Sequence, residues 1–504
     1  MRPATIETDA EVVAKYLEDA AHYPSGTAAG VVRPGSVEEV AWVVHHATAV
    51  LAVGAQSSLT GGATPAGALV LSTERLTAIE VNDREVRAGA GVTLVALQDA
   101  LAQHGCWFPP VPTYLGATVG GIVATNAAGA ATFKYGPVRR WVRGVTIVLA
   151  SGDVLRLRRD QVAASSDEGF VIGGSNGDLR VPIPRIRMPE VPKCSAGYFS
   201  APGMDLVDLV IGSEGTLGVI VEAELAIHPR PAGVCWLRIT LPSEEEAIRV
   251  TGDLRRDRAL DIAAIEHIDR RSIDVLREDS VDRRLGVVIE PRAEVILLVQ
   301  IELAAQDAEE GLSDAQLQAL TVLLARYGAQ DTTEIVLPSD RRRAAALVEL
   351  REAVPAGVNR RVARAHALDP RVHKTAADMI VPFERFGEMM HTCRALCEEA
   401  QLDLAVWGHI SDGNVHPNVI PRDYRDVERG REVILELARQ VIAMGGSPLA
   451  EHGVGRNRVK QQLLGMLYGE KGVQSMEAVK LSLDPECKLA PGVLFESRVA
   501  RHAS

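Results

Sequence analysis

Cysteine is sparse and unpatterned in this chain. There are six, with no CxxC spacing, so an iron–sulfur ligand run is excluded and no disulfide framework is suggested. Two of them, Cys393 and Cys397, fall one turn apart on an expected helix and read as packed free thiols. Long hydrophobic runs are missing too: no stretch approaches the roughly 20 apolar residues of a membrane-spanning helix. Residues 1–9 carry early acids and lack the apolar stretch of a secretory leader. These absences favour the reducing cytoplasm. Positive charge is in deficit, with 54 Lys and Arg against 66 Asp and Glu and a net charge of −12. That balance argues against nonspecific binding to nucleic acid or to an anionic membrane. Finally, no GxGxxG follows a first strand, so a Rossmann nucleotide domain is not expected.

What remains is ordinary soluble composition, 47% hydrophobic and 24% charged, over 504 residues, long enough for more than one domain. The first half is built around three loops of small residues. Ser36 and Glu39 form a capping box that starts a helix to about residue 49. A short strand, 51–53, leads into Gly54-Ala55-Gln56-Ser57-Ser58-Leu59-Thr60-Gly61-Gly62-Ala63-Thr64. Small residues let backbone N–H groups approach an anion and the hydroxyls add donors, so this uncharged loop suits a pyrophosphate. An ordinary glycine-rich turn would read the same. Strands at 68–72 and 86–88 and a helix from 94 to 105 precede a second such loop, residues 116–129, closed by Lys134-Tyr135-Gly136. A hairpin over 145–149 and 154–157 follows. The third loop, residues 212–218, enters a strand at 219–227. Between 158 and 206 the prolines and glycines predict a long loop, either an active-site lid or a solvent cover, ending at Lys193-Cys194-Ser195-Ala196-Gly197-Tyr198.

From residue 231 the pattern becomes strand-helix-strand twice over, the ferredoxin-like order, with an extra helix at 270–277. A basic helix capped by Ser339 runs to Pro355. Apolar residues 402–407 then lead into Trp407-Gly408-His409-Ile410-Ser411-Asp412-Gly413-Asn414-Val415-His416-Pro417-Asn418. Asp-Gly is a strong two-residue turn signal. Such a turn opposes His409 to His416, with Cβ atoms about 4.5–5.5 Å apart on one face, and Asn418 joins them. Two imidazoles so placed make half of a divalent-metal site; two structural histidines at a strand end would have the same spacing. After a helix at 424–444 and a glycine break comes Glu451-His452, a carboxylate and an imidazole able to supply a third ligand and a base. Two further helices follow.

The loops GATVGGIVATNAAG with KYG, and GSEGTLG, resemble the flavin domain of the vanillyl-alcohol oxidase / p-cresol methylhydroxylase superfamily. The resemblance implies an α+β chain. A two-subdomain FAD-binding domain of the p-cresol methylhydroxylase type (1–230) would precede a ferredoxin-like substrate or cap domain (231–450), with a C-terminal helical segment (451–504) completing the active site. It implies FAD contacts at Gly54, Ala55, Gln56, Ser57, Ser58, Thr60, Gly61 and Gly62. In the second loop these are Pro112, Gly116, Ala117, Thr118, Gly121, Thr125 and Asn126; in the third, Glu214, Gly215, Gly218, Val219 and Ile220. The first loop has no histidine to tether flavin, so FAD is expected to be non-covalent.

His409, His416, Asn418 and Glu451-His452 further resemble the metal-dependent branch containing D-lactate and D-2-hydroxyglutarate dehydrogenases. That implies His409, His416 and Glu451 as ligands of a divalent metal, zinc by donor type. His452 would be the base, Arg351 the carboxylate-binding guanidinium, and Asn418 an orienting amide. Lys374 stands near the place of a family lysine, where this chain has Ala376. Other departures are Gln56-Ser57-Ser58 in a loop usually richer in glycine, Ser411 for Gly, and Ala490 for Asn. The implied function is oxidation of a small D-2-hydroxy acid, lactate-, glycolate- or 2-hydroxyglutarate-like. Electrons would leave to an external acceptor: electron-transfer flavoprotein, quinone or cytochrome, with oxygen also open. A flavin transferase of the alkylglycerone-phosphate synthase type and a non-catalytic FAD-binding subunit are the alternatives. Oligomeric state, a homodimer included, stays open.

Overall fold

Ser36 accepts a hydrogen bond from the Glu39 backbone and starts the helix Val37–His46. The helix stops short of residue 49 because Ala47 turns extended, which brings Val50–Val53 into a sheet. This computed structural model describes residues 4–110, 112–164, 169–174, 177–304 and 311–496. Its first sheet is parallel over Gly30–Val32, Leu69–Ser72 and Val50–Val53, with Ile6–Glu7 antiparallel at the edge. A second, antiparallel sheet runs in the order Ile79–Val81, Glu85–Gly89, Val219–Ala226, Val142–Val148, Val154–Arg158. The small-residue segments follow Val50–Val53, follow the helix Leu94–Ala102, and precede Val219–Ala226; the second, expected as a loop, is helical over Val119–Ala124.

The segment expected as a long loop holds an antiparallel hairpin, Phe170–Gly174 with Gly177–Val181. Ser175 and Asn176 lie outside the described residues. Phe170, Ile172 and Val181 are buried, and Arg185 N donates to Ser475 Oγ at 2.9 Å. Alternating apolar residues against the C-terminal helix thus outweigh the local prolines and glycines. That helix, Arg458–Leu483, is split in two by Gly469, whose φ is 70°.

In the second half the strands Thr333–Val336, Gly233–Leu241, Val295–Leu303 and Ile262–Asp269 lie side by side, all antiparallel, in the ferredoxin-like order 4-1-3-2. The sheet continues through Leu404–His409 and Asn414–Val419 to Thr375–Ala376, with Met379–Ile380 also paired to Asn414–Val419. The histidine hairpin is therefore an extension of the cap sheet. Every residue of Ile262–Asp269 is buried, because helices cover both faces. Glu244–Arg256 and Asp314–Ala325 pack on one face, Arg270–Glu278 and Arg341–Leu368 on the other.

The helix Arg341–Leu368 departs from expectation at both ends. Asp340 rather than Ser339 caps it, accepting from Arg343 N, and it continues through Pro355. An internal proline ordinarily breaks a helix; here Leu347, Leu350, Val354 and Val358, all buried on the sheet, carry it across. Gly357 lets it approach its neighbour closely, since a Cβ there would lie 2.5 Å from a Val275 methyl. The two halves are joined where Lys134 Nζ meets Asp261 at 2.7 Å and Glu302 at 2.6 Å, and Tyr135 OH donates to Glu302 at 2.5 Å.

Candidate functional site

The hairpin has a different register from the one its Asp-Gly pair suggests. His409 pairs with Asn414 and Trp407 with His416, and residues Ile410–Asp412 form a 3-10 turn. The loop is four residues long, not two. Its tertiary setting decides this: Ile410, Ser411 and Asp412 are all buried, and Ser411 Oγ accepts from Ile265 N at 3.2 Å. Gly413 has φ 79°, and a Cβ there would sit 2.2 Å from Val381 O. The register shift is two residues, which preserves facing. His409 and His416 stay on one side with ring centroids 5.5 Å apart, now on a diagonal.

A third imidazole completes the group. Asp378 Oδ2 accepts from the backbone N–H of Glu451 and of His452, at 2.8 and 2.9 Å, and so pins the turn carrying both. His452 stacks on His416 with centroids 5.0 Å apart. Three Nε2 atoms then surround Glu451 Oε1, at 3.5 Å for His409, 3.2 Å for His416 and 3.6 Å for His452. Zinc–ligand bonds of 2.0–2.1 Å at tetrahedral angles put neighbouring ligand atoms about 3.3 Å apart, so these separations fit a cation's donors. The far ring nitrogens face carboxylates: His409 Nδ1 meets Glu266 at 2.5 Å, and Nδ1 of His416 and of His452 lie 3.4 Å from Asp378. A carboxylate behind an imidazole fixes its tautomer and aims its other nitrogen. Asp378, His416, Glu451 and His452 also form a compact set, with ligand atoms within 4.8 Å of one another. His409 stands beside that set.

The charged groups of the cluster shift one another. Burial raises the Glu451 pKa, yet Lys193 and His409 hold it well below the usual carboxylate range. Burial would depress His409, but Glu266 and Glu451 lift it to about 9. For His452 burial prevails, with His416 and Lys460 adding to it, and despite Asp378 the ring drops to about 4. Its ring is therefore neutral at neutral pH. It is also the most open of the three rings, its side chain 26% exposed against 3% for His409 and 7% for His416.

Arg351 lies on the long helix and its Nε donates to Glu266 at 2.9 Å, so it backs His409 through that carboxylate. Asn418 Nδ2 donates to His416 O, leaving its buried Oδ1 without a partner. Lys374 makes no hydrogen bond or ion pair among the described residues. The residue is exposed, and desolvation by its surroundings together with Lys460 brings its pKa down to about 8. The buried partners Glu266, Asp378, Lys193 and Asp412 were not singled out as site residues in the sequence. The available signals were a Glu-His pair inside an apolar strand, 262–269, and a lone lysine before Gly197-Tyr198.

The three small-residue loops converge next to this cluster. A Cβ on Gly54 would lie 2.1 Å from Thr118 Oγ1, so the first two loops touch through that glycine. A Cβ on Gly455 would lie 2.2 Å from Thr60 Oγ1. From the third loop, Glu214 accepts from Val454 N and Gly455 N, both at 2.8 Å. Each loop holds one non-glycine residue in the left-handed region: Gln56 at φ 51°, Asn126 at 48° and Glu214 at 52°. Such residues cost about 1–3 kcal/mol each and collect at binding sites. The hydroxyls of Thr64, Thr118 and Ser213 are buried without partners, as donors awaiting ligand oxygens would be. A phosphate-bearing cofactor fits these orphaned donors and glycine-lined surfaces. Gln56 turns elsewhere, its amide donating to Tyr16 O and Glu18 O at 3.0 Å. Asn126 likewise serves the protein, accepting from Arg139 N.

Two family models match parts of the chain. Residues 28–158 match an FAD binding domain, and residues 230–494 match the C-terminal domain of FAD linked oxidases. A D-lactate dehydrogenase of Archaeoglobus fulgidus is 31% identical over 92% of this chain and 90% of that protein. A D-2-hydroxyglutarate dehydrogenase of Xanthomonas citri pv. viticola is 30% identical over 93% of this chain and 90% of its own length. The solved structure of an alkyldihydroxyacetonephosphate synthase shares the fold, with a TM-score of 0.61 at 13% identity, over 97% of this chain and 84% of that one. The converging loops, the ferredoxin-like cap and these matches lead to one conclusion: the chain belongs to the FAD-linked oxidases.

Proposed function

We propose that the protein oxidises a D-2-hydroxy acid to the 2-oxo acid, with non-covalent FAD and a divalent cation, zinc by donor type. The observation that supports this most is the trio of Nε2 atoms gathered on Glu451 Oε1, each ring backed by a carboxylate. His409, His416 and Glu451 form a His₂Glu set that suits Zn²⁺ with positions left open. These residues would hold a cation that supplies Lewis-acid polarisation of the substrate hydroxyl, and the flavin would supply a two-electron hydride acceptor.

The chain's own residues do the rest. His452, neutral and the most open imidazole, takes the hydroxyl proton, help typically worth about 10²–10⁴-fold. Asp378 holds that ring and the turn beneath it. Arg351, whose Nε stays on Glu266, is the guanidinium we assign to the substrate carboxylate. Asn418 steadies His416 from its backbone side, and Lys374 adds positive charge beside the cleft. The names of the relatives, dehydrogenases of D-lactate and D-2-hydroxyglutarate, support the substrate class. Electrons leave to an external carrier in the cytoplasm, an electron-transfer flavoprotein, quinone or cytochrome.

Anaerobic mixing of the flavoprotein with a panel of D- and L-2-hydroxy acids tests the reading. Bleaching of the flavin by a D-acid is expected, abolished by exhaustive chelation and restored by Zn²⁺. A flavin that no 2-hydroxy acid bleaches would sink the dehydrogenase, and full activity in metal-free protein would sink the cation.

A further inference from the structure

Lys193 has no part in the chemistry above, yet it sits at its centre. It is 2% exposed, and its Nζ lies 2.9 Å from Glu451 Oε2 and 3.1 Å from Asp412 Oδ2. Glu451 thus divides its oxygens, Oε1 toward three imidazoles and Oε2 on the ammonium. The strap carrying Lys193 is held on both sides. Ser195 N donates to Leu449 O at 3.1 Å, Ser195 Oγ to Thr125 O at 3.2 Å, and Cys194 Sγ to Ser447 Oγ at 3.6 Å. These bonds tie it to the segment just before Glu451 and to the second small-residue loop. Asp412 has no hydrogen bond of good geometry for either carboxylate oxygen, and Lys193 is the ammonium beside it.

We infer that Lys193 is a positioning residue that keeps Glu451 a one-oxygen donor and limits how tightly the site holds its cation. The inference rests on the cation site proposed above. An ammonium on Oε2 prevents that oxygen from swinging round to the metal, and its positive charge repels a divalent ion a few ångströms away. Together these leave coordination positions for the substrate's hydroxyl and carboxylate. Removing the ammonium frees both oxygens and leaves two buried carboxylates in need of positive charge. The cation should then bind more tightly while turnover slows. A residue that merely braced the strap would, when removed, loosen the cation and slow turnover together.

The test uses FAD-loaded wild type, Lys193→Met and Asp412→Asn, each reconstituted with Zn²⁺. Zn²⁺ retention is measured against a graded chelator series, alongside the rate of flavin reduction, with flavin absorbance and melting temperature as checks of folding. We expect one equivalent of Zn²⁺ in wild type. Lys193→Met should retain it at least tenfold more tightly and reduce flavin at least tenfold more slowly. Asp412→Asn, which leaves the ammonium wholly to Glu451, should hold Zn²⁺ at least threefold more weakly. Unchanged or weaker retention in Lys193→Met overturns the inference alone. Wild type that binds no Zn²⁺ overturns it together with the cation site. Should Lys193→Met fail to fold, Asp412→Asn decides: looser Zn²⁺ upholds the inference, and unchanged or tighter Zn²⁺ overturns it.

Discussion

The two functional regions of this molecule are made of opposite materials. The flavin loops are uncharged for long stretches and work through backbone, glycine contacts and buried hydroxyls. The histidine cluster packs three imidazoles, four carboxylates, a guanidinium and an ammonium into the interior, where each group is tolerable only because of its neighbours. A surface built from backbone is spoiled by added atoms. A buried charge network is spoiled by removed ones. The two regions should therefore fail in different ways.

The largest effect should come from His452→Ala: flavin reduction slower by about 10²–10⁴-fold, with flavin content unchanged in the absorbance spectrum. Near-normal reduction would remove His452 as the base. Next, Arg351→Met leaves Glu266 buried beside His409 without its guanidinium, at a cost of about 3 kcal/mol. Urea unfolding should show that loss, and steady-state kinetics a raised KM; wild-type stability would mean that Glu266 finds another partner.

The flavin side should respond to the reverse kind of change. Gly54→Ala drives a methyl into Thr118 Oγ1 and should cost about 1–3 kcal/mol, read as a lower flavin-to-protein absorbance ratio. Zn²⁺ retention in the same variant should match wild type; loss of both would mean the regions are not separable. The smallest effect concerns Glu214, the carboxylate of the third small-residue segment, which burial lifts to about 7 despite its bonds from Val454 and Gly455. Its folded pKa lies above the unfolded value of 4.5, so its contribution to stability is full below pH 4.5 and is lost as pH rises through 7. Melting temperatures of apoprotein between pH 5 and 8 should fall more steeply in wild type than in Glu214→Gln, and parallel curves would exclude Glu214 from that slope.

The same contrast explains what the sequence revealed. Loops such as 54–64 stand out by composition, though an ordinary glycine-rich turn would look the same, and 212–218 took its meaning from the family resemblance. The ferredoxin-like order was legible from strand and helix periodicity alone. The charge network was legible only where its members lie close in sequence: His409 and His416, or Glu451 and His452. Lys193 comes from 258 residues before the carboxylate it pairs with, and Glu266 from a strand whose apolar residues masked its buried acids. The hairpin register was misread because Asp-Gly favours a two-residue turn locally, whereas burying Asp412 beside Lys193 requires a longer one. Pro355 misled in the same way, a local rule overridden by packing.

That proline sits four residues beyond Arg351 in a continuous helix. It has no N–H, so the carbonyl of Arg351 lacks the donor an unbroken ladder would provide. The arginine expected to grip the substrate is thus mounted at a mechanically compliant turn, whose axis can flex without breaking a hydrogen bond already made. On the proposed function, the side chain assigned to the substrate carboxylate thus rests on a turn with one backbone hydrogen bond fewer, while the His409 side of the cluster stays braced by Glu266.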